Sequence, residues 1–159
     1  MTMTTAVYPG SFDPITKGHL HILKVGSEVF DKVIIAVANN PQKKGFLSVE
    51  ERVSLIKESI THLDNVEVDS FEGLTIEYAK KAGAKVLIRG LRAVSDFEYE
   101  LQLSQANSAL CENIRTVFLT TKPKYNFISS STIKEIYNNG GDISKFVPQP
   151  VYDFLMKRR

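Results

Sequence analysis

Five short runs rich in β-branched residues punctuate the chain: TTAVY (4–8), VIIAVAN (33–39), VEVDSF (66–71), KVLIR (85–89) and TVFLTT (116–121). Each predicts a strand. VIIAVAN is apolar nearly throughout, as expected of a strand covered on both faces. Between these runs the apolar residues recur at helical spacing. Helices are predicted over about 18–30, from Ser48, over 74–81, over about 96–111, after Ser130, and through the tail from about Pro150. Ser48 and Glu51 form the S-x-x-E pattern of a capping box. Val49, Val53, Ile56 and Ile60 lie three or four apart and predict that helix's inner face. Gly83 stands where the third helix needs a C-terminal cap.

Strand and helix in alternation predict an α/β fold, a doubly wound parallel sheet of five strands, in a single domain over residues 1–159. Such sheets bind ligands beyond the carboxyl ends of their strands. An unusual polar segment follows every strand here: PGSFDPITKGH, NPQKKG, FEGLT, GLRAVSDFEYE and KPKYNFISSS. All five are expected to meet at one edge.

Composition narrows the function classes. Hydrophobic residues make up 43% of the chain, enough for a core, and charged residues 24%, which argues against disorder. A net charge of +2 is too small a bias to argue for nucleic acid, but it is compatible with a local cationic pocket for phosphates. Cys111 is the only cysteine, which excludes an internal disulfide and a cysteine metal cluster. The opening MTMTTAVYPG lacks the build of a signal peptide, and no apolar run approaches the roughly 18 residues of a membrane helix. The expectation is a soluble cytoplasmic protein with neither a nucleic acid nor a membrane as partner.

The chemistry concentrates in YPGSFDPITKGHLHIL (8–23). A glycine-bearing loop entering a helix suits phosphate, because first-turn N–H groups are unpaired and the helix dipole adds positive charge. The loop matches neither G-x-x-x-x-G-K-[ST] nor G-x-G-x-x-G. His19 falls in the first helical turn, within reach of a phosphate. His21, two positions on, points elsewhere around the helix, so the two do not make a metal pair. It is expected to be a surface residue or at most a helper.

These residues carry a resemblance. Thr16-Lys17-Gly18-His19 resembles the T-x-G-H form of the histidine signature of nucleotidyltransferases, and Ile128-Ser129-Ser130-Ser131-Thr132 resembles their serine-rich second signature. With the NPQKK loop and LIRGLRAVSDFEYE, the set resembles the bacterial phosphopantetheine adenylyltransferase family over essentially the whole chain. SSSTIKE, with Lys134 where related nucleotidyltransferases often continue to an arginine, fits that family better than its cousins.

The resemblance implies a Rossmann-like nucleotidyltransferase fold. It implies transfer of AMP from ATP to 4′-phosphopantetheine, giving dephospho-coenzyme A and pyrophosphate, with Mg2+ as cofactor and no covalent intermediate. It also implies a homohexamer and feedback inhibition by coenzyme A. The catalytic set it implies is His19, Lys43 and Arg92. ATP contacts would come from Ser11, Phe12, His19, Gly90, Leu91, Arg92, Glu100 and the run Tyr125, Asn126, Phe127, Ile128, Ser129, Ser130 and Ser131. The acceptor would meet Ser11, Lys43, Thr75 and Arg89. The magnesium ligands are not legible.

Physical chemistry is consistent with this assignment. Acceptor phosphate and ATP repel, and Lys43, Arg89 and Arg92 stand on separate post-strand segments from which they can screen that repulsion together. Taken alone, Arg89 and Arg92 would equally suit salt bridges to Asp96 or Glu98. The helix over 96–111 carries Phe97, Leu101, Leu103 and Leu110, which suit either core or a subunit interface. The nearest alternative function is adenylyl or cytidylyl transfer to another phosphorylated acceptor, such as nicotinate mononucleotide or glycerol 3-phosphate. A non-catalytic nucleotide-binding domain is the alternative from another class.

Overall fold

The computed structural model describes residues 2–92 and 94–159, with Val94 and Ser95 described through their backbone alone. Ala93, inside the segment expected after the fourth strand, lies outside the described residues. The five predicted runs form β1 (Thr5–Gly10), β2 (Lys32–Ala38), β3 (Val66–Phe71), β4 (Val86–Leu91) and β5 (Arg115–Thr120). They make one sheet in the order β3-β2-β1-β4-β5, every pairing parallel. The order reverses at β1, so the crevice of a doubly wound sheet opens between the ends of β1 and β4.

The helices are α1 (Lys17–Val29), α2 (Val49–Ser59), α3 (Thr75–Lys81), α4 (Val94–Leu110), α5 (Ser130–Asn138) and α6 (Gln149–Arg158). A single 3-10 turn, Pro123–Tyr125, has no counterpart in the sequence expectation. Ser48 caps α2 as expected, with both halves of the capping box formed to Glu51. Gly83 takes a positive φ of 71° after α3, and the N–H groups of Gly83 and Ala84 return to the carbonyls of Lys80 and Ala79, the two bonds of a Schellman cap.

Strand side chains alternate between two cores. Val33, Ile35 and Val37 of β2 face one side with Ile22 and Leu23 of α1, Leu55 and Ile56 of α2, Ile133 of α5 and Val151 and Leu155 of α6. Ile34 and Ala36 face the other, with Ile76 and Ala79 of α3. The expected inner face of α2 does turn to the core: Ile56 and Ile60 are buried in it, and Val49 and Val53 pack against it. Arg52, Leu55 and Ile56 are its buried residues, whereas Val49 and Val53 are only half-buried. Arg52 can be buried beside them because carbonyls and a carboxylate receive its guanidinium.

The two faces are covered unequally. On the α3/α4 side, Leu74, Phe97, Tyr99, Leu101 and Leu110 are exposed. Phe97, Leu101 and Leu110 are therefore not core residues of this chain.

Candidate active site

Thr16, with extended backbone, caps α1: its hydroxyl accepts from the His19 N–H, and its own N–H donates to His19 Nδ1 at 3.0 Å. T-x-G-H is thus a capping box in which histidine takes the place usually held by Glu or Gln. The bond fixes chemistry as well as the helix start. His19 is driven well below the ordinary imidazole range, to about 4, first by burial and then by the Arg92 charge. A neutral ring that accepts at Nδ1 carries its proton on Nε2, so the nitrogen left for a ligand is a donor.

Phe12 supports that ring from below. Its side chain is buried and meets the rings of Tyr8 and His19 edge-on at 5.2 and 5.1 Å. Its φ of 47° is left-handed, a conformation that costs a non-glycine residue on the order of 1 kcal/mol. Gly10 fits the same packing, since a Cβ there would stand a tight 3.0 Å from the Phe12 ring.

Across the crevice stand two arginines, Arg89 within β4 and Arg92 just after it. Arg89 donates from Nε and Nη2 to the two oxygens of Glu100, both at 2.7 Å, and from Nη1 to the Pro9 carbonyl at 3.4 Å. Burial opposes its charge, but the hydrogen bonds and charge of Glu100 outweigh that and raise its pKa further. Arg92 donates to the Ile128 carbonyl at 3.0 Å and pairs with Asp96 at 3.4 Å. Asp96 and Glu100 lie four apart on one face of α4, while Glu98, two positions from each, is exposed. Of the salt bridges considered from sequence, Arg92–Asp96 is present, and Arg89 takes Glu100 in place of Glu98.

Ser129 caps α5 by accepting from the Thr132 N–H, and Ser130 donates its hydroxyl to the Pro14 carbonyl at 2.8 Å. The first turn of α5 is thereby tied to the loop after β1. These groups enclose a cavity of about 340 Å3 lined by Tyr8 through Phe12, Thr16, Gly18, His19, Ile22, Arg89, Gly90, Arg92, Asp96, Glu100, Thr121 and Ile128 through Ser131. Two helix N-termini, two guanidinium groups and one imidazole N–H converge on it, an arrangement suited to a polyphosphate. A second cavity of about 180 Å3 adjoins it, lined by Pro9, Gly73, Leu74, Thr75, Leu87, Arg89, Leu103 and Asn107. Arg89 borders both.

A cytidylyltransferase-like family model matches residues 7–136. The phosphopantetheine adenylyltransferase of Caldanaerobacter subterraneus subsp. tengcongensis is 51% identical over 156 residues, covering 98% of each chain. That of Gloeothece citriformis is 58% identical over 146 residues, covering 92% of this chain and 93% of its own. The chain belongs to the phosphopantetheine adenylyltransferase family. A Vibrio parahaemolyticus protein, solved as a candidate nicotinate-nucleotide adenylyltransferase, superposes over 98% of this chain and 99% of its own with a TM-score of 0.76 at 19% identity. It shares the five-stranded fold.

For this phosphopantetheine adenylyltransferase family member, the main cavity collects Ser11, Phe12, His19, Arg89, Gly90, Arg92, Glu100, Ile128, Ser129, Ser130 and Ser131 from the residues named on sequence. Thr75 lies on the second cavity. Leu91, Tyr125, Asn126 and Phe127 stand outside both walls, and Phe127 is 62% exposed. Lys43 is exposed and lines neither cavity. The five post-strand segments therefore do not all meet in one hollow: those after β1, β4 and β5 form the main cavity, that after β3 the second, and that after β2 stands apart.

Sequence reasoning missed Tyr8, Thr121 and Asp96 as lining residues. Tyr8 is buried, and burial raises its hydroxyl pKa, so it faces the cavity as a neutral phenol. Its place in a strand run hid it. His21 is half-buried, its Nδ1 has no partner among the described residues, and its ring lies 5.9 Å from that of Tyr125.

Proposed function

We propose that the main cavity binds ATP with its polyphosphate against His19, Arg92 and the serines of α5, and that the adjoining cavity receives the pantetheine arm of 4′-phosphopantetheine. The observation that carries this is Arg89. It borders both cavities, so one guanidinium can meet the groups that react at their junction. The acceptor's phosphate oxygen attacks the α-phosphorus of ATP in line. The new O–P bond forms as the bond to the bridging oxygen breaks, and that electron pair leaves with pyrophosphate. A phosphate nucleophile near neutral pH has little proton to lose, so no general base is required. Catalysis is then positioning plus stabilisation of charge. His19 donates Nε2–H to a phosphoryl oxygen, Arg92 neutralises the ATP phosphates, and Lys43 meets the acceptor phosphate from the loop after β2.

Among the described residues no group of three or more His, Cys, Asp or Glu could hold a metal. The carboxylates on the cavity wall, Asp96 and Glu100, are paired to Arg92 and Arg89. Mg2+ would therefore be held chiefly by ATP phosphates and water, where it would neutralise phosphate charge.

The exposed apolar residues Leu74, Phe97, Leu101 and Leu110 support assembly with further copies, as a homohexamer, tested by light scattering. Coenzyme A, which shares the pantetheine and adenosine groups, would compete for the same cavities. No helix among the described residues is long and apolar enough to cross a membrane, and a cytoplasmic location suits an enzyme fed by ATP.

The deciding experiment follows pyrophosphate release from ATP and Mg2+ with 4′-phosphopantetheine, nicotinate mononucleotide, glycerol 3-phosphate or no acceptor. Release with phosphopantetheine alone is expected. Release with another acceptor would keep the chemistry and overturn the acceptor, and ATP binding without release would favour a non-catalytic domain.

A further inference from the structure

The 39–46 segment that carries Lys43 is exposed from residue 40 to residue 45, yet both of its ends are tied to one buried pair. Asp13 and Arg52 are 6% and 7% exposed. Arg52 donates to the carbonyls of Leu47 at 3.1 Å, Ser11 at 3.0 Å and, at the limit, Ala38 at 3.5 Å. Ala38 ends β2 and Leu47 immediately precedes the cap of α2, so the guanidinium bridges the two feet of the segment. Asp13 accepts from the N–H groups of Phe46 and Leu47, both at 2.8 Å, and lies 4.0 Å from Arg52 Nε. Gly45 is fitted to the same knot: a Cβ there would stand 2.8 Å from the Leu47 carbonyl, 3.1 Å from Arg52 Nη2 and 3.2 Å from Asp13 Oδ2. From outside, Arg158 of α6 lies over the Phe46 ring at 5.5 Å and donates to its carbonyl at 3.3 Å.

A buried ion pair gives a fold little that packed apolar side chains would not. This one does something apolar residues cannot. It engages five backbone groups, on the β1 loop, the end of β2 and the entry to α2. A planar fork with several fixed donors suits that task, and a lysine ammonium does not.

We infer that Arg52, with Asp13, is a positioning residue for the acceptor: it sets the stance of the Lys43 segment relative to Ser11 without touching substrate. The inference rests on the reading of Lys43 as the cation that meets the acceptor phosphate.

The test measures steady-state pyrophosphate release by the full chain bearing Arg52→Lys, Lys43→Ala or both, varying each substrate at saturation of the other. Arg52→Lys is expected to raise the acceptor KM roughly tenfold, as a displaced positioning group does, and the ATP KM much less. In the Lys43→Ala background the same change should add almost nothing, because no cation remains to be positioned. Full additivity would overturn the inference. So would a loss of active enzyme with both KM values unmoved, the mark of a purely structural role. If Lys43→Ala alone leaves the acceptor KM unchanged, the reading of Lys43 falls, and the inference with it, through a variant that leaves Arg52 intact. Should Arg52→Lys not fold, Gly45→Ala strains the same knot from the segment's side and is held to the same outcomes.

Discussion

The main cavity and the Lys43 segment sit at the same sheet edge but are built differently. In the cavity the ring and the two guanidinium groups already have protein partners: His19 with Thr16, Arg89 with Glu100, Arg92 with Asp96 and Ile128, as does Ser130 with Pro14. Each donor is aimed before a ligand arrives, which lowers the reorganisation needed as charge develops. The Lys43 segment is held only at its feet, and its lysines stand in solvent. On the proposed reading, preorganisation is concentrated where phosphate charge must be stabilised, and the segment proposed to meet the acceptor is anchored at its ends.

Mutations should separate the two regions. His19→Ala removes a donor from the preorganised side and should lower kcat by roughly 10²–10³ while leaving ATP affinity within a few-fold. Rapid-quench turnover and equilibrium ATP binding check this, and a loss confined to ATP affinity would remove His19 from catalysis. Lys43→Ala belongs to the other region. It should raise the acceptor KM by about tenfold or more with a smaller change in kcat. If ATP kinetics alone changed, the division between the regions would be wrong. Glu100→Gln tests the seam between them. It weakens the two 2.7 Å bonds that hold Arg89, which borders both cavities, so both KM values should rise by about fivefold. A change in one KM only would confine Arg89 to a single substrate.

These regions also differ in how far the sequence disclosed them. Strands were legible because short β-branched runs bounded by polar segments leave little other choice, most clearly in the doubly buried β2, and α2 and α3 because Ser48–Glu51 and Gly83 mark their ends locally. T-x-G-H is local too, with cap and histidine one turn apart. The link between Arg52 and Asp13 is not local. It joins residues far apart in the chain, and Arg52 sits where an apolar side chain would normally mark the inner face of a helix. The face of α4 was ambiguous because its apolar residues are not confined to one helical stripe, and several are exposed in the single chain.

A pH effect tests the preorganised side through stability alone. His19 titrates at about 4 in the folded chain, against an ordinary 6.5 once unfolded. Below pH 6.5 the unfolded chain takes up a proton that the folded ring, half-buried beside Arg92, refuses. The unfolded state therefore binds more protons between about 6.5 and 4, so stability contributed by His19 falls as pH falls through that window and levels off below it. Other groups titrate in the same range, but they do so in a His19→Asn variant as well. The difference in urea midpoint between parent and variant isolates the ring. It should be constant above pH 6.5 and shift against the parent as the pH falls toward 4. A difference independent of pH would mean that His19 is protonated as readily folded as unfolded. Burial and the Arg92 charge would then not be what holds the folded ring neutral.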